Sequence, residues 1–438
     1  MKKGRFLLIL LLCIAVLGLA WMLVVTEKSD TELQGELIEQ AQALLADKIY
    51  IRAEPLLEEA AGYKGDRKLE AEQLLKEVYY ALIDESGYAR KLTQLFDTQI
   101  NREGTPAEVY FEAADYYLDL GKRQKGIEIL ALGVKKNSTP ELVARYEQER
   151  YSYLYGGETY DDVTEVYNDM IQVKRLEKWG LADYCGEIVI PYEYDKVSTF
   201  SNGKAVAKSG SEIFSIDANN HRVYLMKEAV QDFSNYGNDR ISFKTDAGWV
   251  RGNGEFAMGA TAFEAIGMYN ESRAAAMLKG KWGIIDTAGE WVIEPTYDGI
   301  LMDTIGRCWG QEAVFVKSGS SVYLVVEGKR LETAYEDACP FNEEGWAAVK
   351  QNGKWGFVDT KGELMIPCKY EEARSFSGHL AAVRQGEYWG YISVNGQMAI
   401  EPQFLDARCF VNGAAAVKNT DGWQFIILDE YREVKNGL

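Results

Sequence analysis

Tryptophan followed by glycine recurs from residue 179 onward at a near-constant interval, and that interval limits the fold more than any other feature of the chain. Trp-Gly stands at 179–180, 282–283, 355–356 and 389–390. Trp249 and Trp423 occupy the same slot without the glycine, and Phe214 and Tyr323 fill it with other aromatics. The eight anchors are separated by 35, 35, 33, 41, 32, 34 and 34 residues. A period of this length marks a chain built from similar units that bury their apolar faces against one another.

The units at Trp179, Trp282, Trp355 and Trp389 hold further columns in register. Fifteen residues after each tryptophan stand Tyr194, Tyr297, Tyr370 and Phe404, and twelve or thirteen after it stand Pro191, Pro295, Pro367 and Pro402. In KWGFVD, period-two alternation puts Trp355, Phe357 and Asp359 on one face of a strand and Gly356 and Val358 on the other. Asp-Thr-Lys-Gly then makes a tight turn, with Asp359 capping its own backbone and Gly362 supplying a positive φ. Pro367 has no N–H for a ladder and belongs at a strand end or sheet edge. Gly180, Gly283, Gly356 and Gly390 would admit an indole or a neighbouring backbone where any Cβ would clash.

GKWGFVDTKGELMIPCKYEEARSFSGHLAAV resembles the bacterial WG-repeat family: Trp-Gly, an acidic turn ending in glycine, Pro-x-x-Tyr and a following Phe-x-x-Gly. The resemblance covers residues 170 to 438, about eight units, with those at Phe214 and Tyr323 departing from the pattern. It implies a binding or scaffolding role and no established chemistry. Four short strands fit each unit, so eight units could close as a β-propeller; an open β-solenoid is the alternative.

Between residues 31 and 155 the apolar period changes to three and four, that of amphipathic helices, with new helices expected at Pro106 and Pro140. PAEVYFEAADYYLDLGKRQKGIEILALGVKKN resembles a tetratricopeptide repeat, carried by Ala107, Tyr110, Ala114, Tyr117, Leu120 and Gly121 in its first half. Gly126, Ile127, Leu130 and Gly133 carry its second half. The resemblance implies a helical solenoid of about three helix pairs that binds peptides or proteins, or spaces the next domain outward. Gly126 and Gly133 stand where that family has alanine, an expected loss of about 1 kcal/mol each.

Residues 6–25, FLLILLLCIAVLGLAWMLVV, are long and apolar enough for a bilayer-crossing helix, and Lys2, Lys3 and Arg5 precede them. The expected layout is a cytoplasmic stub over 1–5, a transmembrane signal anchor over 6–25 and an extracytoplasmic remainder. Secretion after signal cleavage is the alternative. The formal charge of −19 argues against nucleic acid, whose binding is dominated by phosphate neutralisation. Cys185, Cys308, Cys339, Cys368 and Cys409 form neither CxxC pairs nor an even set, so no zinc site or disulfide framework is expected.

His221 and His379 are the two histidines of the chain, which disfavours histidine triads and multi-histidine metal sites. Asp183, Asp286 and Asp359 recur with the repeat, which points to turn and cap duties. No catalytic, metal or cofactor residues are therefore assigned. Trp179, Gly180, Tyr194, Trp249, Trp282, Gly283, Tyr297, Trp355, Gly356, Tyr370, Trp389, Gly390, Phe404 and Trp423 are read as the structural signature. Trp291, Trp309 and Trp346 lie off the register, and Trp309 and Trp346 are the candidates for a ligand surface. The expected function is a membrane-anchored, extracytoplasmic, non-catalytic scaffold that binds protein or peptide partners. The alternative is a binder of cell-surface carbohydrate or wall polymer.

Overall fold

The computed structural model describes residues 29–225, 230–253 and 257–431. The chain divides into two compact units between Val143 and Ala144. Among the described residues seven helices precede the first strand: α1 Asp30–Ala46, α2 Tyr50–Gly62, α3 Lys68–Ala81, α4 Tyr88–Ile100, α5 Ala107–Asp119, α6 Arg123–Asn137 and α7 Pro140–Arg150.

α1 opens on a capping box. Ser29 Oγ accepts from the Glu32 N–H at 3.3 Å while Glu32 Oε2 accepts from the Ser29 N–H at 2.9 Å. Pro106 is the N-cap of α5, and Pro140 is the first residue of α7. Consecutive helices pack on one another from α1 to α6. Between α3 and α4 the contact is fixed by a buried carboxylate, Glu72, which receives Arg102 at 2.6 Å and Gln99 at 3.0 Å. Gly126 and Gly133 are close-packing positions, not loosened ones. A Cβ at Gly133 would lie 2.9 Å from the root of the Tyr110 ring, and one at Gly126 2.8 Å from Leu118.

The transmembrane part of the expected fold is corrected. No helix among the described residues is long and apolar enough to cross a membrane, which conflicts with the expected single-pass membrane localisation. The segment 6–25 and the stub 1–5 lie outside the described residues.

The β unit starts at Tyr153, earlier than the sequence repeat, and contains eight four-stranded antiparallel sheets. Seven are built from consecutive strands: β2–β5 (162–194), β6–β9 (196–225), β10–β13 (232–263), β14–β17 (265–297), β18–β21 (299–335), β22–β25 (337–370) and β26–β29 (372–404). The eighth takes β30 (Asp406–Ala407), β31 (Ala414–Asn419) and β32 (Gly422–Leu428) from the end of the domain and β1 (Tyr153–Tyr160) from its beginning. Eight apolar clusters each join one sheet to the next. The one containing Trp423 and Phe425 with Val163 and Val173 joins the eighth to the first. The ring is closed, an eight-bladed β-propeller, and the open solenoid is set aside.

Trp-Gly acquires a specific meaning in this frame. Trp179, Trp282, Trp355 and Trp389 pair across the ladder with Tyr194, Tyr297, Tyr370 and Phe404. The next pair, at the residue after the glycine, falls four residues back on the outer strand, so that strand bulges, and Pro191, Pro295, Pro367 and Pro402 sit in the bulge. The bulge presses a carbonyl onto the glycine. A Cβ at Gly180, Gly283, Gly356 or Gly390 would stand 2.4–2.6 Å from the oxygen of Ile190, Ile293, Ile366 or Ile400. A neighbouring backbone requires the glycine at all four positions, and at Gly283 the Trp291 indole, 2.8 Å from where a Cβ would go, requires it as well. The two faces of each strand feed different cores: Trp355 and Phe357 pack towards the seventh blade, Val358 towards the fifth.

Candidate functional site: the central channel

Each blade begins with a two-residue strand followed by a short loop, and seven of these loops surround a cavity of about 730 Å³. Its wall carries five carboxylates, Glu165, Asp169, Glu271, Glu343 and Glu344, against one arginine, Arg307, and one histidine, His379. A smaller cavity of about 160 Å³ shares Glu165, Arg307, Asn342 and Cys409 with it.

The rim is held by turn residues that reach from blade to blade. Asn412 Nδ2 donates to Asp169 at 2.7 Å across the ring closure, Asn168 to the Phe200 carbonyl at 3.0 Å, and Asn202 to Asp239 at 3.0 Å. Glu344 Oε1 accepts from the His379 N–H at 2.7 Å. Asn168, Asn202, Asn412 and His379 all have positive φ, a conformation asparagine tolerates better than most residues.

The interval of 41 residues between Trp282 and Tyr323 is explained inside the channel. The fifth blade inserts a turn, Asp303-Thr304-Ile305-Gly306-Arg307, before its second strand. It repeats the chemistry of the hairpin turn at Asp359. In each, an aspartate oxygen accepts from the N–H groups two and four residues on, at 3.1 and 2.8 Å for Asp303 and 2.9 and 2.9 Å for Asp359. The turn is anchored to other blades by the Ile305 carbonyl, which accepts from Asn235 at 2.9 Å, and by the Gly306 carbonyl, which accepts from the Met268 N–H at 2.9 Å. It delivers Arg307 to the wall of both cavities, paired with Asp303 at 2.6 Å. Burial opposes that charge, but the Asp303 carboxylate, with Glu165 behind it, outweighs it and raises the Arg307 pKa.

Two more arginines follow the inner strands of the seventh and eighth blades. Arg374 donates to the Ala407 carbonyl at 2.6 Å and to Asp406 at 2.9 Å, with its guanidinium 5.0 Å from the Trp389 ring centre. Arg408 repeats this one blade on: it donates to the Val163 carbonyl at 3.0 Å and lies 4.6 Å from the Trp423 ring centre. These are inter-blade latches with a cation-π backing. Beside them, burial pushes the Cys339 thiol up to about 12 and the Cys409 thiol higher still, so both are neutral thiols at physiological pH.

Glu165 differs from its neighbours. Its side chain is 7% exposed and its carboxylate accepts no hydrogen bond among the described residues. The nearest cationic nitrogen, Nη1 of Arg408, stands at 3.8 Å, outside hydrogen-bond range. Glu344 Oε2 is shielded from solvent and without a donor.

The signature residues are distributed over six of the eight blades and are not gathered into a site. Trp355, Trp389 and Trp423 are buried, Trp179, Trp249 and Trp282 partly so. Of the off-register pair only Trp346 keeps part of its surface open. Trp309 is 3% exposed in the core between the fourth and fifth blades, and Trp346 packs edge-on to Phe376 at 5.3 Å. Sequence reasoning missed Glu165, Asp303, Arg307, Arg374 and Arg408. The over-long interval before Tyr323 was the signal for Arg307; nothing in a single unit distinguishes Glu165. Among the described residues no three His, Cys, Asp or Glu side chains come together as a metal-holding group.

The profile of the WG-containing repeat matches residues 179–211, 282–303, 331–355, 355–389 and 389–423. The chain carries WG-containing repeats. The units anchored at Phe214 and Trp249 fall outside the matched segments, and each of the five segments takes in at least part of a blade of the WG-repeat propeller. No curated protein matches the sequence. Among solved structures the chain is similar to Hsv2 of Kluyveromyces lactis with loop 6CD replaced by a Gly-Ser linker (10% identity, 62% of this chain and 96% of that chain, TM-score 0.36). It is similar also to the Pan2 WD40 domain of Neurospora crassa (11% identity, 67% and 91%, TM-score 0.30). Likeness this distant adds nothing to what the eight sheets establish.

Proposed function

We propose that this WG-repeat chain is a non-catalytic interaction scaffold whose propeller takes a protein segment at the mouth of its central channel. The observation that carries the reading is the cavity of about 730 Å³ at the channel, framed by loops of seven blades and rimmed with polar side chains. Clefts of this size, with convergent polar groups on a rigid frame, are where propellers and barrels bind ligands. The signature aromatics support a structural role for the repeat itself, since each is used in a cross-strand pair or an inter-blade core. The helical unit supplies a second surface suited to peptides, a reading that rests on its resemblance to tetratricopeptide repeats. A carbohydrate-binding role loses Trp309, which has no free face for a sugar ring, and is left with the partly exposed Trp346.

Site-specific photo-crosslinking in the full chain tests this. A crosslinker at Glu271 or Glu343 on the mouth is expected to trap discrete proteins that one at Val223, exposed on the outer edge of the second blade, does not. If specific adducts form only from exposed positions in the helices, such as Tyr80, the propeller is a platform and the reading of its mouth is wrong.

A further inference from the structure

The turn inserted in the fifth blade puts a guanidinium in the wall common to both cavities and then uses only part of it. Asp303 Oδ2 takes Arg307 Nε at 2.6 Å, and among the described residues neither Nη1 nor Nη2 of Arg307 makes a hydrogen bond. Arg374, in the wall of the smaller cavity, is similar: Nε goes to the Ala407 carbonyl and Nη2 to Asp406, which leaves Nη1. Both side chains are largely buried, 21% and 23% exposed. A guanidinium holds five N–H donors in a rigid fork, so three nitrogens of two arginines remain for whatever occupies the cavity.

The surrounding charge limits what that is. Three ion pairs contribute to the wall of the smaller cavity: Arg307 with Asp303, Arg374 with Asp406 and Arg408 with Glu165, and Glu165 faces the first two arginines as well. The set is balanced, so an anion would add a charge with no counterpart. The adjoining larger cavity, with five carboxylates against Arg307 and His379, repels an anion on its way in. A cation cannot use the spare donors. A zwitterion meets both conditions, since its carboxylate accepts from the fork and its ammonium lies among the carboxylates without changing the net charge. Met302, Ala338, Cys339, Pro340 and Cys409 make the rest of the wall apolar or neutral thiol. The volume of about 160 Å³ falls below the roughly 300 Å³ at which ligand pockets usually begin. Only a small apolar side chain fits that remainder.

We propose that the smaller cavity binds a free α-amino acid with a small apolar side chain, its carboxylate on the unused guanidinium nitrogens of Arg307 and Arg374. This goes beyond the docking of a protein segment at the mouth and does not depend on it.

Calorimetric titration of the full chain with L-alanine, propionate and L-alaninamide tests it, the second probe lacking the ammonium and the third the carboxylate. L-Alanine is expected to bind saturably, and each analogue roughly tenfold or more weakly, because each leaves a charged hydrogen bond unmade. Arg307→Gln should weaken L-alanine by a similar factor, and Arg307→Lys, which keeps the charge and loses the fork, should not restore it. Either change also takes a partner from Asp303, so Thr304→Phe separates binding from folding. Thr304 is exposed in the wall of the smaller cavity, and a ring there should block the ligand while the thermal melt stays unchanged. Absence of saturable L-alanine binding, or binding unmoved by both Arg307→Gln and Thr304→Phe, overturns the proposal. Propionate or L-alaninamide binding as tightly as L-alanine also overturns it, because one charge then suffices.

Discussion

Gly356 and Gly353 are three residues apart and do opposite things. Gly353 turns a hairpin at φ +74° with open space around its Cα, whereas Gly356 has an ordinary backbone and a carbonyl 2.6 Å from where a Cβ would go. Gly353→Ala should therefore cost about 1 kcal/mol of left-handed strain. Gly356→Ala should cost about 1–3 kcal/mol by pushing the outer strand away. Denaturant midpoints of the two variants measure this, and equal losses would mean that the bulge yields. At Gly133 the same logic predicts that alanine destabilises the helical unit, although helix propensity alone predicts a gain. Cys308 and Cys339, with thiols pushed up to about 12 by burial, should resist a thiol reagent at pH 8 until the chain is unfolded. Counting modified thiols before and after denaturation checks it.

Blades are elements with a shared fastening. Lys178, Lys281 and Lys354, at the head of three of the four WG strands, pair with Asp195, Asp298 and Glu371, and those lysines hold the three carboxylates below their usual range. A depressed folded-state pKa adds stability above the unfolded value of about 4, and that stability is lost as pH falls through the folded one. The melting temperature should accordingly lose this contribution only below about pH 4, and Lys354→Met should make that acid limb shallower. The pairs are exposed, so each effect is small. The element most easily overlooked is β1. Its Tyr160 takes the cross-strand place opposite Trp423, and Tyr160-Asp161-Asp162-Val163 repeats Tyr194-Asp195-Lys196-Val197. That match was present in the sequence, ahead of the first tryptophan, but a period counted from tryptophans starts one half-unit late. The columns themselves were legible because ladder partners and bulges impose the same residues in every blade. The channel was not, because its residues come from loops where each blade is free to differ. Tyr160→Ala should cost about 3 kcal/mol or more, as a buried aromatic in any matched repeat would, and Tyr370→Ala is the comparison to make.

At the scale of the molecule the ring is closed by strands from opposite ends of the domain. Removing residues 153–160 would leave β32 as an open edge beside a hydrophobic face, and the expected outcome is association of chains through that edge. Size-exclusion chromatography of the deletion reads it, and a monodisperse monomer would show that the eighth blade stands on three strands. Closure also fixes a sequence of events in time. β1 leaves the ribosome before any other strand of the propeller, yet its partner β32 is the last to be made. At about 5–20 residues per second β1 waits roughly ten seconds to a minute, its backbone unpaired, while seven blades assemble beside it. A message cut short anywhere before codon 422 yields a chain that can never complete the ring. Closure is therefore a property of the finished ring: a chain that stops short of β32 keeps β1 as an unpaired strand.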